Sequence, residues 1–202
     1  MGLSFATSVL SASSNCTDAQ ADVELAICAS PELSALDELI VAEYKQLDRR
    51  GRYFEATKSN QTSWIKSTER LADGVSFNVQ LGYLKFINAF TKCLFNVDGT
   101  TNDFDACEAD IRSDELEECR AKESSNLGMT ICMRSYIEAL TTIEGVETNL
   151  SGVNNVQVWQ AYRESECNFI SQRYLGGTIA SLVFSDCWVS LTSQRIKWIF
   201  SY

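Results

Sequence analysis

The sequence predicts an all-α fold: a disulfide-stapled helical domain built from two similar helical repeats. Three observations point there. Turn-forming residues are scarce in these 202 residues, with one proline (Pro31) and 10 glycines. Sandwiches and barrels need frequent turns, whereas long helices do not. Eight cysteines, none closer than 12 residues to the next and with no histidine in the chain, favour bridges over zinc ligation. Finally, an ordered set of residues recurs. "CTDAQADVELAIC" (16–28) and "CRAKESSNLGMTIC" (119–132) place two cysteines 12 and 13 residues apart. A tryptophan follows each pair (Trp64, Trp159), and then "LGYLKFINAFTKC" (81–93) or "LGGTIASLVFSDC" (175–187). The order Cys, Cys, Trp, Leu-Gly, Phe, Cys therefore occurs twice, with a period of roughly 90 residues.

The elements follow in chain order. Residues 1–14 include "LSFATSVLSASS", apolar and then rich in small residues, which reads as a signal-peptide remnant or a disordered N-terminus. The first repeat is expected over 15–98 and the second over 103–202, joined by the linker "NVDGTTND" (96–103). In "SPELSALDELIVAEYKQL", Ser30 is placed as N-cap, Pro31 at the first helical position and Glu32 in the first turn. Leu33, Leu36, Ile40, Tyr44 and Leu47 then form an apolar stripe. "RRGR" (49–52) reads as a solvated basic turn. Further helices are expected over about 54–72, with Trp64, and about 83–95. In the second repeat "GVETNLSGVNN" (145–155) reads as a loop and "LGG" (175–177) as a helix boundary. Val156, Trp159, Tyr162, Phe169 and Ile170 give one core stripe there, and Val183, Cys187, Leu191 and Trp198 another.

Repeat logic also selects a disulfide pairing among the many that eight cysteines allow. It gives Cys16–Cys28, Cys93–Cys107, Cys119–Cys132 and Cys167–Cys187. Cys167 has no counterpart after Trp64, and Cys107 fills the vacancy. Each short loop is worth about 3 kcal/mol in the chain-entropy account. Such a framework belongs in an oxidising compartment, periplasmic or extracellular.

Charge and motif content narrow the function. With 17 basic and 27 acidic side chains the net charge is −10, which disfavours nucleic acid and anionic membranes and favours a basic partner. The sequence holds no apolar run long enough to span a bilayer. Without histidine, Ser-His and Cys-His nucleophile systems are excluded, and no phosphate loop, cofactor motif or metal-ligand spacing appears. The sharpest surface feature is the acidic run "CEADIRSDELEEC" (107–119). Its Glu108, Asp110, Asp114, Glu115, Glu117 and Glu118 are either a solvated face or a docking surface for a cationic enzyme. Paired carboxylates can also signal a glycosidase, but a helical run without an aromatic cleft does not fit that chemistry. Asn15, Asn60 and Asn149 each open an Asn-x-Ser/Thr sequon.

The second half, with Trp159, Tyr162, Arg163, Cys167, Gly176, Gly177, Cys187, Thr192 and Arg195, resembles the LprI-type lysozyme-inhibitor family. The first half resembles that family's front end through Cys16, Cys28, Asp37, Leu39 and Tyr44, and keeps Gln61 and Trp64. It departs by carrying Thr68 where the arginine stands, and it lacks the cysteine after the tryptophan. The resemblance implies an exported, helical, disulfide-bonded protein. Its expected role is to inhibit a peptidoglycan-degrading enzyme, a lysozyme or a secreted toxin, by binding it. The alternatives are an immunity protein against a cell-wall-targeting toxin, such as a type VI secretion effector, and a periplasmic structural or adaptor module.

Overall fold

The computed structural model describes residues 16–49, 51–68, 74–95, 103–122, 125–152, 155–177 and 179–201, without the side chains of residues 68, 115, 120, 122 and 126. The N-terminal segment 1–14, Asn15, Arg50 and residues 96–102 of the expected linker lie outside that set. Among the described residues the chain is helical and carries no strand.

The first helices form where the local signals place them. In α1 (Asp22–Ala29) the Glu24 carboxylate accepts from the backbone N–H groups of the N-cap residue Ala21, a donor that the helix start leaves open, and of Gln20 before it. Ser30 Oγ accepts from Leu33 N at 3.2 Å and caps α2 (Pro31–Gln46), with Pro31 in its first turn. The α2 stripe turns inward as expected, with Ile40 and Leu47 buried and Leu33, Leu36 and Tyr44 packed beside them.

After α3 (Phe54–Thr68), α4 spans Gly74–Leu94 and starts well before the expected residue 83. Its Phe77, Val79 and Gln80 are buried, so packing extends the helix backward through a stretch with little apolar periodicity. Then come α5 (Phe104–Ile111), a π-helical stretch (Arg112–Leu116) and α6 (Glu117–Lys122). Ser125 Oγ accepts from Gly128 N at 3.0 Å to cap α7 (Asn126–Ser151). This corrects the loop expected over 145–155. Residues 145–151 are helical because Glu147 and Thr148 are buried on the inner face, and Gly152, at φ +69°, ends the helix. The chain closes with α8 (Val156–Ser171) and α9 (Ala180–Phe200).

α4 and α7 form the spine; α2 lies on α4, α9 on α7, and α8 on α9. One apolar core runs through both halves. Phe86 meets Tyr136 edge-on at 5.0 Å, and Phe90 stacks on Phe104 at 5.9 Å. Close approach of the spine helices requires Gly82, where a Cβ would lie 2.5 Å from Ser135 Oγ. Arg52 is no free solvated cation. Its Nη1 meets Glu147 Oε2 at 2.8 Å while Tyr53 donates to Glu147 Oε1 at 3.0 Å, tying the entry of α3 to α7.

Four disulfides join Cys16 to Cys28, Cys93 to Cys107, Cys119 to Cys132 and Cys167 to Cys187, the pairs that repeat logic selects. The motif behind that logic is less regular in space. Leu81 and Gly82 sit inside α4, whereas Leu175 and Gly176 lie in the turn between α8 and α9, with Gly176 at φ +88°. The halves also differ in elements, with α1 to α4 in the first and α5, the π-helical stretch and α6 to α9 in the second, although α4 and α9 are both 21 residues long.

Candidate functional site

Residues 155–201 fold back as an antiparallel hairpin of α8 and α9, closed by a 3-10 turn (Gln172–Tyr174) and by Gly176 and Gly177. Cys167–Cys187 staples the two helices near the closed end. Arg163 and Cys167, four residues apart, form the buried face of α8.

Beneath the hairpin lies a buried ionic cluster. Glu144 of α7 receives two arginines: Arg163 Nη1 stands 2.7 Å from its Oε2, and Arg195 Nε stands 3.1 Å from its Oε1. Arg163 also donates to Thr192 Oγ1 at 2.7 Å, and Arg195 donates to Asn155 Oδ1 at 3.3 Å. Two cations on one carboxylate leave positive charge in excess, and tryptophan faces help hold it. The Arg163 guanidinium lies 4.1 Å from the Trp188 ring centre, and that of Arg195 lies 5.0 Å from the Trp159 ring centre. Burial pulls the Arg195 pKa down; Glu144 opposes that shift and Arg163 adds to it. This assembly orients and stiffens.

The outward side of the hairpin is apolar where a core stripe was expected. Tyr162 and Phe169 are 50% and 59% exposed, and Trp198 on α9 is 45% exposed. The α8 periodicity is real but belongs to two faces. The inner one is occupied by an arginine and a cysteine; Val156, Trp159 and Ile170 are half-buried, and Tyr162 and Phe169 are left outside.

The acidic run divides. Glu108 turns inward, where its Oε1 accepts from Ser193 Oγ at 2.5 Å and lies 3.5 Å from the Tyr136 hydroxyl and 3.7 Å from Arg112 Nη1. It anchors α5 to α7 and α9 and is no part of an external docking face. Burial, followed by the Glu108 charge, pushes the Tyr136 phenol up. Asp110, Asp114, Glu117 and Glu118 are exposed, and the Glu115 side chain lies outside the described set. Asn60 and Asn149 both line a 420 Å³ groove between α3 and α7, floored by Gly145. Among the described residues no cluster of His, Cys, Asp or Glu could hold a metal ion.

Sequence reasoning missed Glu144 and the outer hairpin face. A signal existed for the first: Glu144 follows Leu140 and Ile143 on the apolar side of α7, where an acid needs a buried partner. None existed for the second, because periodicity does not say which face is covered.

No curated protein and no solved structure matches this chain. The hairpin and its cluster account physically for Trp159, Arg163, Cys167, Cys187, Thr192 and Arg195, and the stretch that carries them, residues 153–199, matches the model of the family Lysozyme inhibitor LprI.

Proposed function

We propose that the protein is an exported inhibitor of a peptidoglycan-degrading enzyme, blocking it by protein–protein binding. The match of residues 153–199 to a lysozyme-inhibitor family carries this reading. Four disulfides support an oxidising location, and no helix among the described residues is long and apolar enough to cross a membrane. A net charge of −10 supports a basic target, since complementary charge speeds encounter and selects partners. The protein's own contribution is a surface, and the enzyme's chemistry is stopped by occlusion.

The test is a titration. Oxidised protein added to a panel of basic lysozymes should suppress lysis of peptidoglycan in proportion to the molar ratio, and should release no sugar by itself. Absence of both binding and inhibition across the panel would dismiss the reading.

A further inference from the structure

We infer that the outer face and tip of the α8–α9 hairpin form the docking surface, and that the occupant is the concave cleft of a basic peptidoglycan-degrading enzyme. The assignment rests on the inhibitor reading above and names the surface that serves it. Three features converge on this face.

The first is apolar exposure along one face of α8 and at the turn that follows it. Val158 and Leu175 are 73% and 76% exposed, and Tyr162, Phe169, Tyr174 and Ile179 are exposed beside them. At about 100° per residue, Val158, Tyr162 and Phe169 fall within about 40° of one another, opposite the buried Arg163 and Cys167. An apolar patch of this kind on a small protein marks an interaction surface. Aromatic and large aliphatic anchors are also the residues that dominate binding energy.

The second is shape and stiffness. The turn projects Tyr174 and Leu175, every residue from Gln172 to Gly177 is exposed, and a Cβ on Gly176 would meet no neighbour. A convex tip suits a concave partner. Cys167–Cys187 and the Arg163–Glu144–Arg195 cluster fix the two helices beneath it, so little ordering cost remains on binding.

The third is charge, which chooses the occupant. Glu164 and Asp186 are exposed and Glu166 is half-buried on the hairpin, against the exposed cations Arg173, which lies 5.8 Å from the Phe169 ring centre, and Lys197, whose charge is paired with Asp105 of α5. A second copy of this chain would bring two acidic rims and two charges of −10 together. An anionic bilayer would repel the same rim. A basic cleft is attracted to it.

The experiment compares three full-length, oxidised proteins for affinity to a basic lysozyme that the wild type inhibits: wild type, Phe169→Asp with Leu175→Asp, and Asp114→Lys with Glu117→Lys and Glu118→Lys. The hairpin variant should bind at least about 30-fold more weakly, the loss that marks a hot spot, with unchanged circular dichroism. The acidic-run variant should stay within about threefold in off-rate, any change falling in the on-rate. Should the double variant misfold, Leu175→Asp alone at the exposed tip replaces it. Wild-type affinity in the folded hairpin variant, with loss in the acidic-run variant, overturns the surface while leaving the inhibitor intact. Sedimentation showing a wild-type dimer that the hairpin variant abolishes overturns the occupant. A wild type that binds no hydrolase removes the inhibitor reading and this assignment with it.

Discussion

α3–α4 and α8–α9 are the two medium-and-long helix pairs of the molecule, each with a tryptophan on its first helix, and they are held by different physics. Trp64 meets Phe77 edge-on at 5.2 Å, and Gln61 accepts a hydrogen bond from Gln80. That pair is joined by apolar contact and neutral polar bonding. In α8–α9 the tryptophans cover arginines, the arginines share Glu144, and a disulfide crosses the pair. A helix held by an ionic lock and a covalent staple does not have to bury its apolar residues to stay in place. That difference leaves Val158, Tyr162 and Phe169 exposed on the face proposed above for docking.

Removing the acid should produce the largest break. Glu144→Ala would strand two buried guanidinium groups and cost about 3–5 kcal/mol. For a chain of this length that lowers the melting temperature by roughly 10 °C. Amide exchange should then accelerate in α8 and α9 before it does in α3 and α4. Equal acceleration in both pairs would show the lock to be global. Next in size, Cys167→Ser with Cys187→Ser should cost about 3 kcal/mol in urea denaturation. A smaller loss would mean that the ionic cluster alone suffices.

Glu147 offers a milder contrast, because it ties the segment just before α3 to α7. Glu147→Gln weakens the bond to the half-exposed Arg52 and disturbs the Tyr53 hydroxyl, costing about 1–2 kcal/mol. Its exchange signature should appear around α3. The smallest effect concerns Glu138 on the α3-facing groove, whose pKa burial raises above 4.5 while Arg134 opposes the shift. Its protonated form is favoured in the folded state, so its contribution falls as the pH rises through the window just above 4.5. Glu138→Gln should therefore raise the melting temperature at pH 7 by no more than about 2 °C and leave it unchanged near pH 4. A loss at pH 7 would show that the ion pair with Arg134 outweighs burial.

Much of the fold was legible before any coordinates. Capping at Ser30, the Leu33–Leu47 stripe, the all-α class and the cysteine pairs all arise from local chemistry or from spacing, which the sequence displays directly. Boundaries set by tertiary packing were not legible. The early start of α4 at Gly74 depends on neighbours brought in by α3, where Trp64 meets Phe77 and Gln61 meets Gln80, and the helical run through Gly145 depends on Glu147 finding Arg52 and Tyr53 across 95 and 94 residues of chain. The site was legible only as chemistry. The sequence displays Arg163 and Arg195 but not that Glu144 of α7 is the acid they share. Glu108 looked like its acidic neighbours until Ser193 and Tyr136 were placed against it.

The measurement that tests the central claim most directly is amide hydrogen exchange of the oxidised protein, with and without a saturating basic lysozyme that it inhibits. Residues 172–177, exposed in the free protein, should gain protection in the complex together with the outer face of α8, while 107–119 should exchange as in the free protein. Protection confined to 107–119, with the hairpin tip unchanged, would contradict the account.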